Sequence, residues 1–271
     1  MELRPLVSGF RSLEGPAFAS DGSLYFVDWL QHAIFRWDGQ SATEWFNTGG
    51  IPAGLAFDRD GRLYVADEGD DVHGVIRLPD DRRLTRVVDT YRGQPLNGAN
   101  DLVFAPDGSL YFSDPWRSSV ANPIGGFYRL GLDGHLDQLA SDLAFPNGVA
   151  VWGEAVYLAE TGHRRIWRYR DGQPEEWARL SDGGGGPDGM AFDAAGRLHV
   201  AHYGNGTVDV FDQEGRQVDA IAVPGRQVTN VAFGGPDGRT YVVTECETGT
   251  LYVGRADVPG QPLFGGQQWA V

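Results

Sequence analysis

The sequence predicts an all-β chain folded as a six-bladed β-propeller with a central-channel metal site. Three observations carry the fold. One unit of about 40 residues recurs six times, which is the period of a propeller blade. The 39 glycines and 15 prolines punctuate the chain at short intervals instead of gathering in one tract, as many strands joined by turns require. Helical periodicity is almost absent.

The six copies are EGPAFASDGSLYFVD, AGLAFDRDGRLYVAD, NDLVFAPDGSLYFSD, NGVAVWGEAVYLAE, DGMAFDAAGRLHVAH and TNVAFGGPDGRTYVVT. Each begins with a polar or small residue and runs through a short apolar strand to an anchoring residue. The anchors are Phe18, Phe57, Phe104, Val151, Phe192 and Phe233, separated by 39, 47, 47, 41 and 41 residues. An Asp-Gly or similar turn follows, where a positive φ costs glycine little. The second strand alternates aromatic and β-branched residues, and a third follows in most units, as in AIFRWDG, GFYRLGLDG, RIWRYRDG and TVDVFDQEG. A β-solenoid is the rival architecture, but its repeats are shorter. Residues 1–271 are therefore read as one propeller domain. An open ring would leave sheet edges exposed, so strands from both ends, around residues 6–11 and beyond TLYVGRADVPG, are expected to complete one blade.

Composition narrows the function. Hydrophobic residues at 41% and aromatics at 12% suffice for a core and argue against disorder. A net charge of −15 makes nucleic acid a poor partner, because binding phosphate needs a basic face. The single Cys246 excludes an intrachain disulfide framework and gives no sign of a zinc cluster. MELRPLVSGFRS has no apolar signal core, and no 18-residue apolar run occurs. The expectation is a soluble cytoplasmic protein without a membrane partner, a monomer or weak homo-oligomer.

The first strand of each blade lines the channel, so equivalent residues form a ring. Four positions before each anchor stand Glu14, Ala53, Asn100, Asn147, Asp188 and Thr229. Two carboxylates and two carboxamides thus converge, all hard oxygen donors, which suits Ca2+, with Mg2+ or Mn2+ as alternatives. Taken singly, Asn-Gly and Asp-Gly at strand starts are ordinary turn residues; their coincidence in one column points to a metal site. A second column, Asp28, Asp67, Asp114, Glu160, His202 and Thr244, ends the second strands. Its members are read mainly as surface caps of strand ends, with ligand orientation, another cation or proton transfer as the other roles. Asp101, beside Asn100, is expected on the opposite side of its strand by period-two alternation, supporting the site without binding the metal.

EGPAF, NGANDLVFAPDGSLYFSDP, FPNGVAV, PDGMAFDAAGRL and TNVAFGGPDGRTYVV together resemble the gluconolactonase / senescence-marker protein (regucalcin) family, in order and over nearly the whole chain. The resemblance implies a six-bladed propeller with a divalent cation near the top of its tunnel and lactonase activity. It implies Glu14, Asn147 and Asp188 as metal ligands and Asn100 as a metal or substrate contact. The cation is expected to be Ca2+, with Mg2+, Mn2+ or Zn2+ as alternatives. One position departs from the regucalcin branch. An arginine that contacts the sugar-acid lactone there is replaced by Gly98 here, so LNGAND looks more like bacterial gluconolactonases and diisopropyl fluorophosphatase.

The reaction expected is hydrolysis of a small-molecule lactone, with the cation polarising the carbonyl and Asp188 acting as ligand and base together. His202 is the second candidate base, since imidazole accepts a proton near neutral pH. Asn100 and Asn147 fix metal and substrate, while Trp29, Trp116 and Tyr203 shape the pocket. The rivals are a phosphotriesterase-like hydrolase on the same site and a non-catalytic calcium-binding or protein-interaction propeller.

Overall fold

The structure is a computed structural model that describes residues 1–78 and 83–263. Six four-stranded antiparallel sheets follow one another along the chain. Blade 1 holds Leu13–Phe18, Leu24–Asp28, Ala33–Trp37 and Ala42–Asn47, and blade 2 holds Pro52–Phe57, Leu63–Glu68, His73–Leu78 and Thr85–Val88. Blade 3 holds Leu102–Phe104, Leu110–Asp114, Gly125–Leu130 and Leu136–Leu143. Blade 4 holds Pro146–Trp152, Ala155–Glu160, Arg165–Arg170 and Gln173–Arg179, and blade 5 holds Gly186–Phe192, Leu198–Tyr203, Thr207–Phe211 and Gln217–Ala222. Blade 6 runs Val228–Gly234, Thr240–Glu245 and Thr250–Arg255. Short 3-10 turns at Trp29–Gln31 and Thr161–His163 are the helical elements among the described residues, and no helix there is long and apolar enough to cross a membrane.

The alternation seen in the repeats becomes the packing between sheets. Each blade turns one set of strand side chains toward the preceding blade and the other toward the next. Between blades 4 and 5, Tyr157 packs edge-on to Trp177 and Phe192, and Trp177 meets Phe211. Between blades 5 and 6, His199 meets Phe233 edge-on with ring centres 5.0 Å apart. The core is therefore a set of radial seams around the axis.

The ring is closed where the two ends of the chain meet in one sheet. Arg4–Ser8 pairs antiparallel with Thr250–Arg255, with Arg4 opposite Val253 and Ser8 opposite Thr250, and so becomes the fourth strand of blade 6. Blade 6 thus joins strands from both ends, while the expected further contribution from the tail beyond residue 260 falls mostly outside the described residues. After Arg255 the chain turns under the propeller, where Gly260 bridges Asp193 and Gln261 N donates to Phe192 O. The rest of the tail, 264–271, lies outside the described residues.

Candidate functional site

Each innermost strand is interrupted where the first column falls. In blade 4, Pro146 stands opposite Glu160 and Val149 opposite Leu158, so three steps on one strand face two on the other. The same irregularity occurs in blades 1, 2 and 5, and in blade 6 two steps face one. In blade 3, Asn100 N donates to Ser113 O while Ser113 N donates to Asp101 O, so two residues oppose one. A β-bulge of this kind bends the strand and re-aims its side chains. Strict alternation therefore fails at Asn100–Asp101, which removes the basis for assigning Asp101 to the far side.

The residue after the column is Gly15, Gly54, Asp101, Gly148, Gly189 or Asn230. A Cβ on Gly15 would lie 2.2 Å from Ala53 O, and one on Gly148 2.2 Å from Asp188 O. Neighbouring innermost strands touch through these glycines, drawing the column residues of adjacent blades together. Asp101 and Asn230 fill the two positions without glycine. Asp101 Oδ2 accepts from Val149 N at 2.8 Å, across to blade 4. Asn230 Nδ2 donates to Glu14 Oε2 at 2.9 Å, across to blade 1. Below them the channel holds an apolar cavity of about 110 Å³, lined by residues such as Leu55, Val103, Val149, Met190 and Val231 and reached from the tail by Gln261 and Leu263.

Glu14, Asn147 and Asp188 are buried, and Asn100 is half-buried. Gly15 N and Asn230 Nδ2 both donate to Glu14 Oε2. Asn147 donates a side-chain hydrogen bond to Asp188, and Asn100 Nδ2 donates to Glu68 Oε1 at 2.9 Å. Burial pushes the Asp188 carboxyl well above the usual range, and the charges of Glu14 and Asp101 push it further. Glu14 is raised by burial against its hydrogen bonds, with Asp101 adding. Burial lifts Asp101 to about 6, and Glu68 to about 8 against the bond from Asn100. No arginine is among the leading influences on these four carboxyls. Buried carboxylates without a cation are costly, and a divalent ion is the group that inverts that balance. The donor set is oxygen only and fits a hard cation. Among the described residues no three His, Cys, Asp or Glu side chains make such a group by themselves; this set reaches four donors through its two carboxamides.

A family model described as the SMP-30/Gluconolactonase/LRE-like region matches residues 13–247. The chain belongs to that family. Pentonolactonase XacC of Haloferax volcanii is 30% identical over 256 residues, covering 90% of this chain and 85% of the relative. Diisopropyl-fluorophosphatase of Loligo vulgaris is 30% identical over 228 residues, covering 75% and 71%. Among solved structures, the gluconolactonase XC5397 of Xanthomonas campestris superposes with a TM-score of 0.81 at 26% identity, covering 96% of this chain and 89% of that one.

In this SMP-30/gluconolactonase-like chain the second column does different work from the first. Asp67 Oδ1 accepts from Ile51 N and Gly69 N, and the two oxygens of Asp114 accept from Asn97 N and Gly98 N. Asp28 accepts from Arg11 N, and Glu160 from Ala144 N. These side chains cap the loops that enter the innermost strands, as expected, but they are buried, not on the surface. His202 is fully buried, and its Nδ1 meets Asp209 Oδ2 at 2.9 Å. Trp29, Trp116 and Tyr203 are each partly buried at the ends of second strands or just beyond. Reading one residue per strand end missed Glu68 and Asn230, each directly after a column position. The available signal was a second polar residue beside the column in the two blades where the column itself holds Ala53 and Thr229.

Proposed function

We propose that the chain is a divalent-cation-dependent hydrolase that opens a sugar-acid or related small lactone. The observation that carries this is the Glu14/Asn100/Asn147/Asp188 donor set, three of them buried and Asn100 half-buried, at bulges of four innermost strands, in a chain 30% identical to a pentonolactonase. Glu14 and Asp188 would hold the cation by charge, and Asn100 and Asn147 by their carboxamide oxygens. Ca2+ matches this donor set, with Mg2+, Mn2+ or Zn2+ as the other ions to test. When bound, the ion supplies Lewis-acid polarisation of the lactone carbonyl and of water.

The chain's own chemistry is proton transfer. Asp188 takes a proton from the attacking water as its oxygen bonds to the carbonyl carbon. When the ring C–O bond breaks, that proton passes to the departing alkoxide, leaving a hydroxy acid. His202 is assigned to the blade interior, because it is fully buried with Nδ1 committed to Asp209. A phosphotriesterase-like reaction is the second reading, favoured by the 30% identity to diisopropyl-fluorophosphatase.

The test is a panel of aldonolactones, aliphatic lactones and organophosphates, run on metal-stripped protein reloaded with Ca2+, Mg2+, Mn2+ or Zn2+. Lactone turnover that depends on the ion is expected. Asp188→Ala should lower kcat at least 1,000-fold with unchanged far-UV circular dichroism. Normal lactone hydrolysis by that variant would refute the assignment of Asp188. Turnover confined to organophosphates would favour the second reading, and no turnover with any ion would favour a non-catalytic propeller.

A further inference from the structure

The two blades whose column position carries no charged or carboxamide group still face the site. Blade 6, with Thr229 in the column, presents Asn230 to Glu14. Blade 2, with Ala53, presents Glu68 from the end of its second strand to Asn100. Asn100 is the least buried of the four candidate donors, and its carboxamide can turn either oxygen or nitrogen toward a cation. Only the oxygen is a ligand, since the NH2 group donates. With Nδ2 engaged at 2.9 Å by Glu68 Oε1, Oδ1 is left free of that contact.

The pair is held from both sides. Glu68 is 7% exposed, and its N–H donates to Ile51 O. The loop that leads to Asn100 is pinned by both oxygens of Asp114, through Asn97 N and Gly98 N. Gly98 lies against the Glu68 backbone, so closely that a Cβ there would stand 2.9 Å from Glu68 Cα. Neither partner can drift without moving a strand end or a pinned loop.

From this geometry we infer that Glu68 is a positioning residue, which orients the Asn100 carboxamide so that its oxygen is presented to the divalent cation. The inference rests on the proposed reading of Asn100 as a cation donor. It separates orientation from charge: a glutamine at 68 keeps an acceptor for Asn100 Nδ2 and loses the carboxylate, whereas a leucine loses both.

The experiment is titration calorimetry of metal-stripped protein with Ca2+, for wild type, Glu68→Gln, Glu68→Leu, Asn100→Ala and the Glu68→Leu/Asn100→Ala double variant, with a melting curve for each. Glu68→Leu is expected to weaken Ca2+ binding at least tenfold, while Glu68→Gln stays within about threefold of wild type. The double variant should bind as Asn100→Ala does, because Glu68 acts through Asn100. Equal losses in Glu68→Gln and Glu68→Leu would overturn the inference, since charge alone would then explain them. Wild-type affinity in Glu68→Leu, or additive effects in the double variant, would overturn it as well. If Asn100→Ala bound Ca2+ normally, the donor assignment would fail and this inference with it. A wild-type chain that bound neither Ca2+ nor the other three ions would instead refute the proposed function.

Discussion

Gly98 shows how much one missing side chain can specify. Its φ is +145°, and a Cβ would stand 2.9 Å from both Glu68 Cα and Trp116 Cβ. The motif-matched arginine of the regucalcin branch therefore cannot be grafted here without moving the loop that carries Asn100. Gly98→Ala is expected to cost about 2 kcal/mol and Gly98→Arg more, read from denaturant midpoints. An alanine variant with an unchanged midpoint would mean that the loop has room to give. The candidate donors themselves were legible in the sequence, because the repeat puts Glu14, Asn100, Asn147 and Asp188 in one column. Their partners were not, since Glu68 reaches Asn100 across 32 residues and Asn230 reaches Glu14 across 216.

Strand ends carry their own electrostatics. At the end of Ala155–Glu160, Glu160 Oε1 accepts from Ala144 N and His163 Nδ1, and Oε2 from Arg165 Nε and Trp167 Nε1. Burial alone would raise this carboxyl, but the Arg165 bond and the others together pull it down to about 2. A carboxyl held below its ordinary value stabilises the fold above that value and loses the contribution as pH falls toward 2. Glu160→Gln is thus expected to cost about 2–3 kcal/mol at pH 7, with the gap to wild type narrowing by pH 3 in urea unfolding. A gap independent of pH would assign the effect to packing. The element itself, a short apolar run ending in Glu160, was readable from the repeat. The bulges were not, because a period-two reading assumes the regular ladder that they break.

At the scale of the whole ring, stability depends on the closing strand. Leu6, Val7 and Phe10 pack into the seam shared by Leu13, Phe26, Val242 and Leu251, while Arg4–Ser8 covers the edge of Thr250–Arg255. Deleting residues 1–8 is expected to expose that edge and to lower the melting temperature by about 10 °C or more. A deletion that melted with wild type would mean that the ring does not need its fourth strand in blade 6.

The sequence by itself determined the blade count, the strand pattern and the column of candidate donors, because all three are periodic and a period survives without coordinates. Only the tertiary structure decided how the chain ends meet in blade 6, that strand-end carboxyls such as Asp67 and Asp114 are buried loop caps, and that Glu68 and Asn230 hydrogen-bond two of the candidate donors. Those features depend on which strands lie side by side, and on bulges where hydrogen bonds between neighbouring strands override the local alternation of side chains.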